Sequence, residues 1–150
     1  MGGANGIVAC SDIVAAVDDT KFGFTEVKLG LAPATISPFV LDKMSLNFAS
    51  ELMLTGRLFS AKEAKAGQLI NFLGTEDEVN NYISQTLKHF GQNGPEAVRE
   101  TKKLMLGLKD LNPIELQSKT ATVIAERRVS KEGQQGLDAF FTKTKAPWKL

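Results

Sequence analysis

The stretch Phe22-Gly23-Phe24-Thr25-Glu26-Val27-Lys28-Leu29-Gly30-Leu31-Ala32-Pro33 decides how the rest of the chain is read. Glu26 stands alone in it among apolar residues. Phe22 and Phe24 precede it at alternating spacing, and Val27, Leu29 and Leu31 follow. Gly30 and Pro33 break any regular continuation. A carboxylate in this setting is partly desolvated, which suits it to proton transfer. The same residue also reads as a surface acid on a strand end, paired with Lys28.

The surrounding composition narrows the class. The chain has 150 residues, enough for one domain with a sizeable core. Apolar residues make up 43% and charged residues 23%, a globular balance. Basic and acidic residues nearly cancel, 18 against 17, so nothing marks a partner in nucleic acid or at a membrane surface. Cys10 is the one cysteine and cannot form an intrachain disulfide, which points to a reducing compartment and a cytoplasmic setting. With His89 as the one histidine, neither a His/Cys metal site nor a Cys–His nucleophile pair is expected. No apolar run approaches the roughly 20 residues that span a bilayer. The N-terminus also lacks the basic and then apolar segments of a signal peptide.

Taken in order, strands come early and helices late. Residues 3–10 form a short helix that packs closely through small residues. Asp12–Val17 reads as a buried strand and Phe22–Phe24 as a second extended piece. Residues 30–38 are turn-rich, with Ser37 as N-cap and Pro38 at the first helical position. Helices follow over Pro38–Met44 and over Leu46–Leu54, the latter with Leu46, Ala49 and Met53 on one face. Ser60-Ala61-Lys62-Glu63 is a capping box that opens a short helix to Ala66. Leu69–Leu73 is a candidate strand. Thr75-Glu76-Asp77-Glu78 opens a helix carrying Val79, Tyr82, Ile83, Leu87 and Phe90. Gly94-Pro95 and Asn112-Pro113-Ile114-Glu115 open two more. Ser130 starts no capping box, because Gly133 stands where a Glu or Gln is needed. The last amphipathic segment carries Leu137, Phe140 and Phe141 and ends at Pro147.

Gly2-Gly3-Ala4-Asn5-Gly6 is a glycine-rich turn before a helix. Such a turn exposes N–H groups to an anion or a developing oxyanion. Alone it reads better as a tight packing turn. It matches neither the phosphate loop nor the dinucleotide fingerprint. No strand leads into it, so the chain reads as beginning in the middle of a fold.

Taken with Glu26, the pattern becomes specific. The motifs in order are Gly2-Gly3-x-x-Gly6, Cys10-Ser11-Asp12-Ile13, Phe22-Gly23, Glu26-Val27-Lys28-Leu29-Gly30-Leu31-x-Pro33, Leu54-Thr55-Gly56-Arg57 and Ser60-Ala61-x-Glu63-Ala64-x-x-Gly67-Gln68-Leu69-Ile70. Pro95 with Ala97 and Lys102, and the later Gly136-Leu137-x-Ala139-Phe140, complete the set. Together they resemble the enoyl-CoA hydratase/isomerase (crotonase) family. Ala32-Pro33-Ala34-Thr35-Ile36-Ser37-Pro38-Phe39 looks more like its methylglutaconyl-CoA hydratase branch than like the common form.

The resemblance implies an α/β fold. It would be the later, C-terminal portion of a crotonase-type ββα spiral, followed by a helical C-terminal trimerisation region. The partial spiral core would occupy residues 1–74 and the helical region residues 75–150, as one structural unit lacking the family's N-terminal part. It further implies an acyl-CoA thioester as substrate, no cofactor beyond the coenzyme A of that substrate, and a homotrimer or hexamer. Gly3 matches the N–H donor to the thioester oxyanion, and Glu26 matches a catalytic acid/base. The family's first carboxylate falls on Gly6. With both acids the family hydrates; with one, its usual chemistry is double-bond isomerisation. The leading expectation is an enoyl-CoA hydratase. The alternatives are an enoyl-CoA isomerase and an inactive fragment or assembly subunit. With one oxyanion donor in place, an isolated 150-residue chain would have little or no activity. Ile36, Pro38 and Phe39 are candidates for the acyl pocket, and Phe141 and Lys143, with Phe140, for contacts to coenzyme A. Cys10 reads as a small buried hydrophobe, Asp12 as structural, and His89 as half-exposed and silent.

Overall fold

A computed structural model describes residues 3–149. Gly2, the first member of the Gly-Gly pair, lies outside the described residues. The chain divides into two compact units, Met1–Gln85 and Thr86–Leu150. The division falls inside a helix, whereas the sequence places the start of the helical region at residue 75. No described helix is long and apolar enough to cross a membrane.

In the first unit, helix α1 (Gly3–Cys10) packs on α2 (Ser37–Lys43). Small residues let the two approach: a Cβ at Gly6 would stand 2.7 Å from Ile36 Cγ2. Asn5 is buried, and its Nδ2 donates to the Gly23 carbonyl at 2.7 Å, which fixes α1 to the strand carrying Gly23. At the other end of α1, Lys43 Nζ donates to the carbonyls of Val8 and Ser11, a cation on helix-terminal acceptors.

The strands are short. β1 (Ala15–Val17) pairs in parallel with β4 (Phe72–Gly74), with Ala16 opposite Leu73. β2 (Lys21–Gly23) pairs antiparallel with β3 (Leu58–Ser60), with Phe22 opposite Phe59. The Phe22 and Phe59 rings stack at 5.6 Å, and Phe24 lies 5.4 Å from Phe59. These rings join Val40, Leu52, Leu69, Ala61 and Ala64 in one core. Helix α3 (Leu46–Thr55) and the short α4 (Ala61–Ala66) lie against it. The capping box at Ser60 forms as expected, with the Glu63 carboxylate accepting from the Ser60 N–H at 2.8 Å. Helix α5 (Glu76–Phe90) begins at the capping box of Thr75 and Glu78.

Several sequence expectations are corrected here. Asp12–Val17 contains only the three residues of β1, and the Leu69–Leu73 strand begins instead at Phe72. Asn71 explains the late start: its Oδ1 accepts from the Val14 N–H at 2.8 Å, so a side chain takes the place of a ladder bond. Strand β3 was not expected at all. Ser37 is not an N-cap; its hydroxyl donates to the Pro33 carbonyl, and Ile36 holds the cap position without a side-chain bond. On α3 the buried residues are Ala49 and Leu52, and Leu46 points outward.

The second unit comprises α6 (Pro95–Gly107), α7 (Pro113–Val129) and α8 (Lys131–Thr142). Asn112 and Glu115 form a reciprocal capping box. Ser130 caps α8 by accepting from the Gly133 N–H at 3.0 Å, without a box. Position 133 must be glycine, because a Cβ there would collide with the Arg127 carbonyl oxygen. The adjacent Glu132 instead reaches across to α6, where it accepts from the N–H groups of Glu96 (2.9 Å) and Ala97 (2.7 Å). It also pairs with Arg127 at 3.0 Å. Gly94 offers α6 no side-chain cap, so Glu132 supplies one from a distant part of the sequence. Helix α8 ends at Lys143, in the left-handed region, and not at Pro147.

Candidate functional site

Glu26 opens a 3₁₀ turn, Glu26–Leu29, immediately after the fully buried Phe24. Gly30 closes that turn with φ +72°, where glycine is the residue of lowest strain. The alternation expected around Glu26 therefore stops at Phe24, and the acid is held by a turn against a rigid frame. No ion pair joins Glu26 to Lys28 among the described residues. Instead, Glu26 Oε2 is buried and has no hydrogen-bond partner among the described residues. A buried carboxylate oxygen without a partner forgoes the hydrogen bond that normally offsets desolvation. It is left able to accept a proton from a bound molecule.

That oxygen belongs to a residue lining a concavity of about 560 Å³. Helix α1 contributes Gly3, Gly6, Ile7 and Cys10; the loop after the 3₁₀ turn contributes Ala32 to Ile36; α2 contributes Phe39. Gly3 lies in the first turn of α1, where N–H groups have no intrahelical acceptor and the helix dipole favours negative charge. The space beside Gly3 is open: a Cβ there would meet nothing within 4 Å. The pocket therefore places a helix N-terminus and a carboxylate on one apolar cavity.

Four residues singled out from the sequence meet here: Gly3, Glu26, Ile36 and Phe39. Pro38, between the last two, is exposed and does not line the cavity. Phe141 and Lys143 lie in the other unit. Phe141 is exposed and packs edge-on to Phe140 at 5.5 Å. Lys143 lines a separate concavity of about 810 Å³ with Phe140 and Trp148. Cys10 is corrected: it is exposed and lines the Glu26 pocket. Its signal was present in the spacing, because residues 3, 6, 7 and 10 share one helical face. Ile7 was missed for the same reason. Gly6 carries no carboxylate, and the place one would leave from is filled by Ile36. His89 is exposed.

The comparisons with known proteins agree with this geometry. The profile of the family "Enoyl-CoA hydratase/isomerase" matches residues 1–150. The chain belongs to the enoyl-CoA hydratase/isomerase family. A Thermus thermophilus member, provisionally named an enoyl-CoA hydratase, is 32% identical over 142 residues, covering 95% of this chain and 56% of that protein. The crystal structure of an enoyl-CoA hydratase from Shewanella pealeana has a TM-score of 0.93 at 37% identity, covering 98% of this chain and 55% of the other. Pseudomonas aeruginosa AtuE has a TM-score of 0.93 at 33% identity, covering 99% and 58%. The crotonase-type α/β fold is thereby shown. The chain spans about half the length of these relatives. The family match runs through the whole chain and does not bear out its description as a C-terminal portion.

Proposed function

We propose that this chain bears the proton-transfer side of an active centre for 2-enoyl thioesters of coenzyme A, and that the reaction is hydration. One observation carries the reading: the unpartnered Glu26 oxygen stands in a cavity that also holds the N-terminus of α1. Glu26 takes a proton from water as the water oxygen bonds to the β-carbon. The electron pair of the double bond moves onto the thioester oxygen, where the Gly3 N–H donates to it. Glu26 then returns the proton to the α-carbon, so that water has added across the double bond. No cofactor takes part beyond the coenzyme A already on the substrate. The names of the relatives support hydration. Met105, Leu106, Ile114, Ile124 and Val129, apolar and exposed, support self-association as the homotrimer or hexamer the family resemblance implies. A lone cysteine, Cys10, fits a cytoplasmic setting.

A second reading, isomerisation by one acid, is favoured by the contact between Gly6 and Ile36. With no second carboxylate to hold water, Glu26 would move a proton between the α- and γ-carbons. The two separate by absorbance: hydration removes the conjugated thioester band of a 2-enoyl-CoA, and isomerisation of a 3-enoyl-CoA creates it. Gly6→Glu sharpens the distinction. Alone it overpacks the site and costs about 1–3 kcal/mol. Combined with Ile36→Ala it removes the collision and raises hydration relative to isomerisation. An unchanged ratio in the double variant removes position 6 from the account.

A further inference from the structure

We infer that the acyl group this pocket accepts is uncharged, an aliphatic chain that does not end in a carboxylate. The inference deepens the proposed function and rests on it. Beyond Glu26, the lining is apolar or neutral, with Ile7, Ile36 and Phe39 presenting the largest surfaces. Among the described residues, no Lys, Arg or His lines the cavity. The two lysines nearest the lining residues in the chain are engaged elsewhere. Lys43 donates to the carbonyls of Val8 and Ser11 at the end of α1. The stem of Lys28 lies by Gly56, where a Cβ would stand 3.3 Å from its Cγ and Cε.

An acyl carboxylate entering this cavity would shed water against apolar groups and receive no cation in return. It would also face Glu26, which must be ionised to accept a proton, so like charges would share one low-dielectric space. A methyl terminus meets neither penalty. This separates the chain from the methylglutaconyl-CoA branch that Ala32–Phe39 resembles, because a glutaconyl group ends in a carboxylate. The loop sequence is similar, but the pocket it builds has no partner for that charge.

The test compares two saturated thioesters of equal carbon number, butyryl-CoA and succinyl-CoA, by titration calorimetry. Both carry the same coenzyme A, so its phosphates cancel, and neither can be turned over. Butyryl-CoA is expected to bind at least about tenfold more tightly. Phe39→Arg, at a position 46% exposed, places a cation on the lining and is expected to reverse that preference or reduce it at least about fivefold. Thr35→Arg, on the exposed loop, repeats the measurement at a second point of the lining. Equal or tighter binding of succinyl-CoA to the unaltered chain overturns the inference and leaves the thioester reading standing. A preference that neither arginine shifts overturns the assignment of selectivity to this lining. Binding of neither thioester overturns the proposed function, and the inference falls with it.

Discussion

Met1–Gln85 centres on Phe22, Phe24, Val40, Leu52, Phe59 and Leu69, whereas the buried apolar residues of Thr86–Leu150 are two alanines, Ala139 and Ala146. The second unit keeps Met105, Leu106, Ile114, Ile124 and Val129 in the open. It is ordered by polar clasps: the Asn112 box, the Ser130 cap, and Glu132 between Arg127 and the start of α6. The contrast teaches where an unsatisfied acid can be kept. A closely packed frame resists the rearrangement that would otherwise let Glu26 find a partner or water. A unit held by hydrogen bonds at helix ends offers no such frame.

Four measurements break or sharpen that contrast. Glu26→Gln is expected to lower turnover by about 100- to 10,000-fold while leaving the urea midpoint unchanged. Equal losses of activity and stability would return Glu26 to the scaffold. Phe59→Ala, which removes the ring between Phe22 and Phe24, is expected to cost about 3–5 kcal/mol in denaturant titration. A loss below about 1 kcal/mol would mean that the first unit does not depend on its core. Glu132→Ala is expected to cost about 1–3 kcal/mol and to speed amide exchange at Glu96 and Ala97, with the core amides of the first unit unaffected.

The smallest effect is one of pH. The Glu63 carboxyl is held down from 4.5 to about 2, chiefly by the Ser60 N–H and then by Arg57 and the Ser60 hydroxyl. A depressed carboxyl stabilises the fold fully above its unfolded value, and that contribution fades as pH falls from about 4.5 towards 2. The urea midpoints of the native chain and Glu63→Gln should therefore differ near neutral pH and converge in acid. A difference that persists at about pH 2 would locate the effect in packing.

Much of this was legible in the residues. Helix starts were clearest, because Ser60 with Glu63 and Asn112 with Glu115 are local devices whose bonds form within one turn. The family motifs brought Gly3 and Glu26 together before any geometry did. Long-range substitutions for local rules were not legible. Asn71 replaces a ladder bond to Val14, and Glu132 caps a helix that starts far from it in sequence. Strand β3 was hidden because Leu58-Phe59-Ser60 is too short to show a period. Cys10 was misjudged by residue type, although its spacing from Gly3 placed it on the pocket face. Phe141 and Lys143 were named through the resemblance, and no described lining joins them to the Glu26 cavity.

The contact between Gly6 and Ile36 also constrains how this site could change its chemistry. A second acid at position 6 would collide with Ile36 if it came first. Shrinking Ile36 first opens a hole in a buried position, at a cost of about 2–5 kcal/mol for Ile→Ala. Either order passes through a weakened intermediate, so the two positions must change together or not at all. The loop that carries Ile36 therefore records the history of the acid pair as well as the shape of the pocket, and a lineage that crossed between one acid and two should show both positions altered.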